Sequence, residues 1–289
     1  MTIKTWLFIV LGIFGAVYLF TWYSAVSGKQ WESPGWIRTG IGFVANFFDT
    51  LGIGSFATTT SMYKPSSMVR DELIPGTLNV GHTLPTITQA FIYIAIVEVD
   101  MTTLIMLIAA SVLGMWLGAG VVSRWPRRNI QIGMGIALIV AAGLMLMTIF
   151  NKSAGGGQDM GLHGTNLVIG VIGNFLLGSL MSLGIGLYGP CLIMISLLGM
   201  NPKAAFPIMM GSCAFLMPAG STKFISKGSY DLRAALGLAI GGIPAVLIAA
   251  YIVKEMNLTY VRWLVVVVVL YTAITLLRSA MTESKNGKA

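Results

Sequence analysis

Apolar runs of spanning length recur along this chain, at 5–24, 75–97, 101–123, 129–150, 203–226, 232–253 and 258–280. A helix needs about 20 apolar residues to cross the hydrocarbon of a bilayer. It must also satisfy its backbone polar groups internally, because lipid offers them no partners. These runs therefore predict an all-α, polytopic integral membrane protein. The composition fits: of 289 residues 56% are hydrophobic and 10% charged, against about 25% charged in soluble domains. The run at 5–24 has no A-x-A cleavage site after it and is read as a retained helix.

The formal charge of +8 would suggest nucleic acid in a soluble protein. Here the basic residues sit in short loops between apolar runs, which points to membrane orientation instead. Cys191 and Cys213 lie inside apolar runs without metal spacing and read as small core residues.

Two further apolar segments, 39–63 and 167–200, are interrupted near their middles, by Gly52 and Gly54 and by GIGLYGP at 184–190. A polar, glycine-rich linker, NKSAGGGQDMGLHGTN at 151–166, predicts a flexible loop between them. The halves on either side resemble each other. A shift of 132 lays Leu51-Gly52-Ile53-Gly54 on Leu183-Gly184-Ile185-Gly186, and Pro75 on Pro207. The expected organisation is an N-terminal helix and loop (1–38), a first repeat (39–150), the linker (151–166), a second repeat (167–281) and a polar tail (282–289). Broken segments at matching positions of two repeats point to a transporter's binding site.

The broken segments either cross the membrane or return as hairpins. Lys and Arg collect on the cytoplasmic side. If both segments cross, the 18 basic residues divide evenly. If both return, only Lys4, Lys152, Lys203, Lys254 and Arg262 fall on one side, leaving thirteen on the other. The charge bias favours two re-entrant segments, hence two inverted repeats of a hairpin plus three spans, preceded by one extra helix. The breaks are expected to face each other near the midplane.

A break frees N–H groups at the start of its second helix, an end that carries partial positive charge. Such an end suits an anion. After the first break come Ser55, Thr58, Thr59, Thr60 and Ser61; the second break ends in Pro190, a residue at home in a first helical position. The following runs add polar groups: Thr77, Asn79, His82, Thr83, Thr86, Thr88 and Gln89 in one half, Ser212, Ser221, Thr222 and Lys223 in the other. Most Ser and Thr in membrane helices bond back to their own helix. Asn79, His82, Thr83 and Thr86 share one helical face. Asp49 either carries a coupling proton or caps the helix after the break. His82 either relays a proton or is a satisfied core histidine.

Four stretches, FFDTLGIGSFATTTS (47–61), ELIPGTLNVGHTLP (72–85), VEVD (97–100) and GIGLYGPCLIMISLLGMNPKAAFPIMMGS (184–212), resemble those that mark a subfamily of the sulfite exporter TauE/SafE family of bacterial membrane permeases. The resemblance runs from about 36 to 280. It implies export or uptake of small sulfur-containing anions, such as sulfite or the organosulfonate sulfoacetate. It also implies that Asp49, Gly52, Gly54, Asn79, His82, Gly184, Gly186 and Pro190 line the path. With Asn46, Thr58, Thr83, Tyr188 and Ser212 these form the candidate substrate-binding set. Asp49 and His82 are the proton-coupling candidates.

The expected function is secondary active transport of such an anion across the bacterial cytoplasmic (inner) membrane by alternating access. No GxxxxGK[ST] motif is present to supply nucleotide energy. A passive anion channel is the alternative. An intramembrane enzyme has no HExxH, GxSxG or paired membrane acids in its favour, so no catalytic residue, cofactor or metal is expected. The expected partners are a small inorganic or organic anion and membrane lipid, with a homodimer left open and no nucleic acid.

Overall fold

A computed structural model describes residues 2–27, 33–118, 127–150, 157–181 and 186–286. They are almost entirely helical, with a single isolated bridge between Asp159 and Met200 among them. In chain order the helices are α1 (Ile3–Val26), α2 (Gly35–Thr50), α3 (Ser55–Ser66), α4 (Ile74–Ile96), α5 (Met101–Leu113), α6 (Arg127–Phe150), α7 (Gly164–Met181), α8 (Tyr188–Leu197), α9 (Ala205–Ser226), α10 (Leu232–Glu255) and α11 (Leu258–Asn286). A π-helical stretch, Gly114–Gly118, continues α5. The chain forms two compact units, Met1–Ile96 with Cys213–Lys254, and Val97–Ser212 with Glu255–Ala289. Each therefore draws residues from both sequence halves, because packing follows neighbours in space and not the order of a duplication.

The structure is that of an all-α polytopic membrane protein. Among the described residues, five helical segments can cross a membrane by length and composition: Ile3–Val26, Gly164–Met181, Pro202–Ser226, Leu232–Glu255 and Trp263–Thr282. α4 is 23 residues long and spans about 34 Å at 1.5 Å per residue. Its polar stripe lowers its hydropathy without shortening it. The run expected at 101–123 is described as far as Gly118, and the rest lies outside the described residues.

In the first unit α2, α4 and α10 run parallel, and glycines set their contacts. A Cβ on Gly42 would press on the Gly237–Leu238 backbone, one on Gly237 on Arg38, and one on Gly241 would overlap the Thr39 carbonyl. Small residues let membrane helices approach closely where no hydrophobic force drives them together. α1 runs antiparallel to α4: Lys4 Nζ donates to the Ala95 carbonyl at 3.0 Å, and Tyr18 Oη to the Val80 carbonyl at 2.6 Å. The start of α2 meets the turn before α10, where Arg233 Nε donates to the Ser33 carbonyl at 2.7 Å. The start of α4 meets the same turn, with Asp231 N–H donating to Thr77 Oγ1 at 2.9 Å. The segment 35–73 thus leaves and rejoins one end of the unit, as a hairpin.

The second unit repeats this logic. Asn166 Nδ2, near the start of α7, donates to the Leu198 carbonyl just after α8, at 3.2 Å. Asn201 N–H donates to the Asp159 carbonyl at 2.8 Å. The segment 164–197 therefore also returns to its starting end. The hairpin reading of the charge count holds for both broken segments.

The linker departs from expectation. Residues 151–156 lie outside the described residues. The rest is tied down, because the Met160 carbonyl accepts Asp100 N–H at 2.8 Å and Leu162 N–H donates to Thr103 Oγ1 at 2.9 Å. α7 then takes up Gly164, Thr165 and Asn166, the last residues of the expected linker. Composition suggested freedom, but these backbone groups found partners on the VEVD turn and the first turn of α5. Asp100 also caps α5, and the Thr103 backbone N–H holds its carboxyl below the usual carboxylate range. That contribution is present above the ordinary carboxylate pKa and lost as pH falls through the lowered one.

Two measurements check this architecture. Gly241→Ala should destabilise the detergent-purified protein by about 1–3 kcal/mol through overpacking, read as a lower thermal unfolding midpoint. Gly12→Ala, where a Cβ meets nothing within 4 Å, should not. Cysteines placed at Gln158 and Lys203 should react with an impermeant maleimide from the same side of the membrane; labelling from opposite sides would contradict the second hairpin.

Candidate functional site

The first break is built by glycines. α2 ends in a Schellman cap: Gly52 N–H donates to the Asp49 carbonyl at 2.8 Å and Ile53 N–H to the Phe48 carbonyl at 3.1 Å. Gly52 (φ +97°) and Gly54 (φ +92°) occupy left-handed backbone that side chains disfavour. A Cβ on Gly54 would meet nothing within 4 Å, so this corner is open.

Asp49 reaches across the break. One carboxylate oxygen accepts the N–H of Ser55, the first residue of α3. The other accepts from Gln89 Nε2 at 2.8 Å, and the same Nε2 donates to Thr50 Oγ1 at 2.9 Å. The carboxyl group is buried. The capping role weighed for Asp49 is therefore what the geometry displays: an oxyanion resting on the start of a helix, within apolar surroundings.

A second chain of bonds begins at Asn46. Its Nδ2 donates to the Gly42 carbonyl at 2.8 Å, which turns Oδ1 toward His82 Nδ1 at 3.0 Å. Since Oδ1 can only accept, Nδ1 carries the proton. His82 Nε2 then accepts from Thr59 Oγ1 at 2.9 Å. His82 is fully buried with both ring nitrogens paired. The chains join at the Asn46 carbonyl, which accepts Thr50 Oγ1 at 2.7 Å.

The structure brings Asn46, Asp49, Gly52, Gly54 and His82 together but disperses other candidates. The expected shared face of Asn79, His82, Thr83 and Thr86 divides. Thr83 Oγ1 meets Ser221 Oγ at 2.9 Å and Asn79 bonds back to the Pro75 carbonyl at 2.9 Å. Thr58 likewise bonds back to the Gly54 carbonyl at 3.0 Å. Back-bonding wins because it satisfies a hydroxyl or amide without any neighbour. Gln89 stands among the polar groups of its run but outside the candidate set. The missed signal is His82, Thr86, Gln89 and Tyr93, spaced four, three and four, which puts all four on one stripe toward α2.

In the second unit, Gly184 lies outside the described residues. Gly186 is exposed, and α8 starts at Tyr188. Pro190 is the third residue of α8 rather than the first. Proline remains acceptable there, since the whole first turn lacks N–H partners. Gly189 serves packing, as a Cβ there would press on Thr272. Ser212 Oγ accepts from Asn174 Nδ2 at 3.1 Å, a partner the sequence reading did not single out. Among the described residues no group of His, Cys, Asp or Glu could hold a metal.

A family model, Sulfite exporter TauE/SafE, matches residues 2–146. The chain belongs to the TauE/SafE family. That match covers the half with the first hairpin and α4, the segments that carry the Asp49 and His82 bonds. A search of curated proteins gives no match, and neither does one of solved structures. As a TauE/SafE protein with spanning helices, the chain is a multi-pass membrane transporter in a family of exporters of sulfite-related anions.

The cap can be tested directly. Asp49→Ala leaves Ser55 N–H without its acceptor and Gln89 Nε2 with only Thr50 Oγ1, and should lower stability by about 1–3 kcal/mol. Asp49→Asn keeps an acceptor and should lose less. Thermal unfolding of the two variants side by side decides the order.

Proposed function

We propose that this chain is a secondary active transporter moving a small sulfur-containing oxyanion, sulfite or an organosulfonate such as sulfoacetate, across the bacterial cytoplasmic membrane by alternating access. The family match supports the substrate class. The observation that carries the mechanism is the Asp49 carboxylate lying on the start of α3. That end of the helix already holds one oxyanion without help from lysine or arginine. A transported anion and an ionised Asp49 compete for the same N–H groups. Protonating Asp49 removes the competing charge, and this couples a proton to the anion. Gln89 keeps the carboxyl aligned, and Asn46 with His82 and Thr59 fixes α2 and α3 around the break.

The helix start at α8 supplies a comparable site in the second hairpin, with Gly186 and Tyr188 before Pro190. The two hairpins are taken as the moving elements of inverted repeats.

Uptake into proteoliposomes tests this with sulfite, sulfate, thiosulfate, sulfoacetate and taurine, with and without a pH gradient. Sulfoacetate or sulfite flux in the wild type should follow the gradient. Asp49→Asn should lose that dependence while remaining folded. Full flux with unchanged pH dependence in Asp49→Asn removes the coupling role. Ohmic currents in planar bilayers would favour an anion channel instead.

A further inference from the structure

Resting on the transport reading above, we propose that the site at the first break holds one negative charge at a time and so carries a singly charged oxyanion together with one proton. Among the described residues Asp49 is the one buried acid, and no lysine or arginine is buried. The carboxylate is held by neutral donors alone, Ser55 N–H and Gln89 Nε2. No cation stands there to balance a second charge.

The elements packed around Asp49 supply none either. On α4, His82 is held between Asn46 and Thr59, and Tyr93 Oη donates to the Thr50 carbonyl at 3.3 Å. α3 carries Tyr63 and Lys64 in its last turn, far along the helix from Ser55. α10 carries Arg233, Tyr251, Lys254 and Glu255 within five residues of its ends, and α2 carries Arg38 in its first turn.

The second repeat adds no titrating partner of this kind. Under the shift of 132 that aligns the breaks, Gly178 stands for Asn46, Met181 for Asp49, Leu187 for Ser55, Cys191 for Thr59 and Ala214 for His82. Every member of the polar network is replaced by glycine, a hydrocarbon side chain or a sulfur-bearing one. The coupling charge therefore belongs to the first hairpin alone.

Two oxyanions sharing one buried site cannot both stay ionised, and one takes up a proton. An arriving anion that keeps its charge, as a sulfonate does, leaves the proton to Asp49. An O–H bond forms on the carboxylate, the proton comes from water on the side of entry, and it returns to water on the other side as the anion leaves. The corner at Gly54, where a Cβ would meet nothing within 4 Å, leaves room for the exchange. The site carries one negative charge both empty and loaded, so the membrane potential does no net work on the cycle. A doubly charged anion breaks this balance even with Asp49 neutral. Hydrogensulfite and monosulfonates fit; sulfate and fully ionised sulfoacetate do not.

Methanesulfonate and sulfate separate the cases, because near neutral pH one stays singly and the other doubly charged. Calorimetry of the purified full chain in phosphatidylcholine nanodiscs, at about pH 8, well above the ordinary carboxylate range, reads proton uptake from the difference between two buffers. Methanesulfonate should bring in one proton per anion in the wild type and none in Asp49→Asn. Sulfate should bind at least about tenfold more weakly, since like charges meet in the site. In proteoliposomes with the potential clamped by potassium and valinomycin, wild-type methanesulfonate flux should follow the pH gradient and ignore the potential. In Asp49→Asn the same flux should ignore the gradient and follow the potential. Wild-type flux that answers to both gradient and potential, binding without proton uptake, or sulfate handled as well as methanesulfonate overturns the single-charge rule and leaves the transport reading standing. Absence of flux for every anion removes the transport reading, and this rule with it.

Discussion

Lipid supplies no hydrogen bonds, and everything distinctive in this protein follows from breaking two helices inside it. Several peptide groups released at the first break are met locally. The Schellman bonds of Gly52 and Ile53 take the carbonyls at the end of α2, and Asp49 takes the N–H at the start of α3. A buried carboxylate is expensive. The break offsets that cost by giving both oxygens donors, Ser55 N–H and Gln89 Nε2. The break and the acid thus stabilise each other.

The hairpins need close neighbours, and glycine supplies them. Gly42, Gly237 and Gly241 bring α2 against α10 until backbone nearly touches backbone, while Gly114 and Gly178 do the same between α5 with its extension and α7. At such distances one amide side chain can bridge elements. Asn46 touches α4 through His82 and α10 through the Leu238 carbonyl at 3.4 Å; Asn174 touches α5 through the Leu107 carbonyl at 2.7 Å. These polar contacts fix register in a medium where apolar packing alone discriminates poorly.

How legible was this beforehand? Helix existence and the interruptions at Gly52 and Gly54 were plain, because hydropathy and glycine act locally. The hairpin path was legible from charge, since basic loops carry orientation in composition. The role of Asp49 was readable only as a pair of alternatives, one of which the Ser55 bond displays. Gln89 was passed over because its partner stands 40 positions away. The linker looked loose because its glycines say nothing about Asp100 and Thr103.

The sequence by itself determined that this is a helical membrane protein with two broken segments, since segment length and apolarity are properties of short stretches facing lipid, and its loop charge favoured their return as hairpins. Tertiary structure alone decided which polar groups pair: Asp49 with Ser55 and Gln89, and His82 with Asn46 and Thr59. A hydrogen bond is made within about 3 Å, and which groups come that close depends on how helices far apart in the chain pack, a choice no local pattern records.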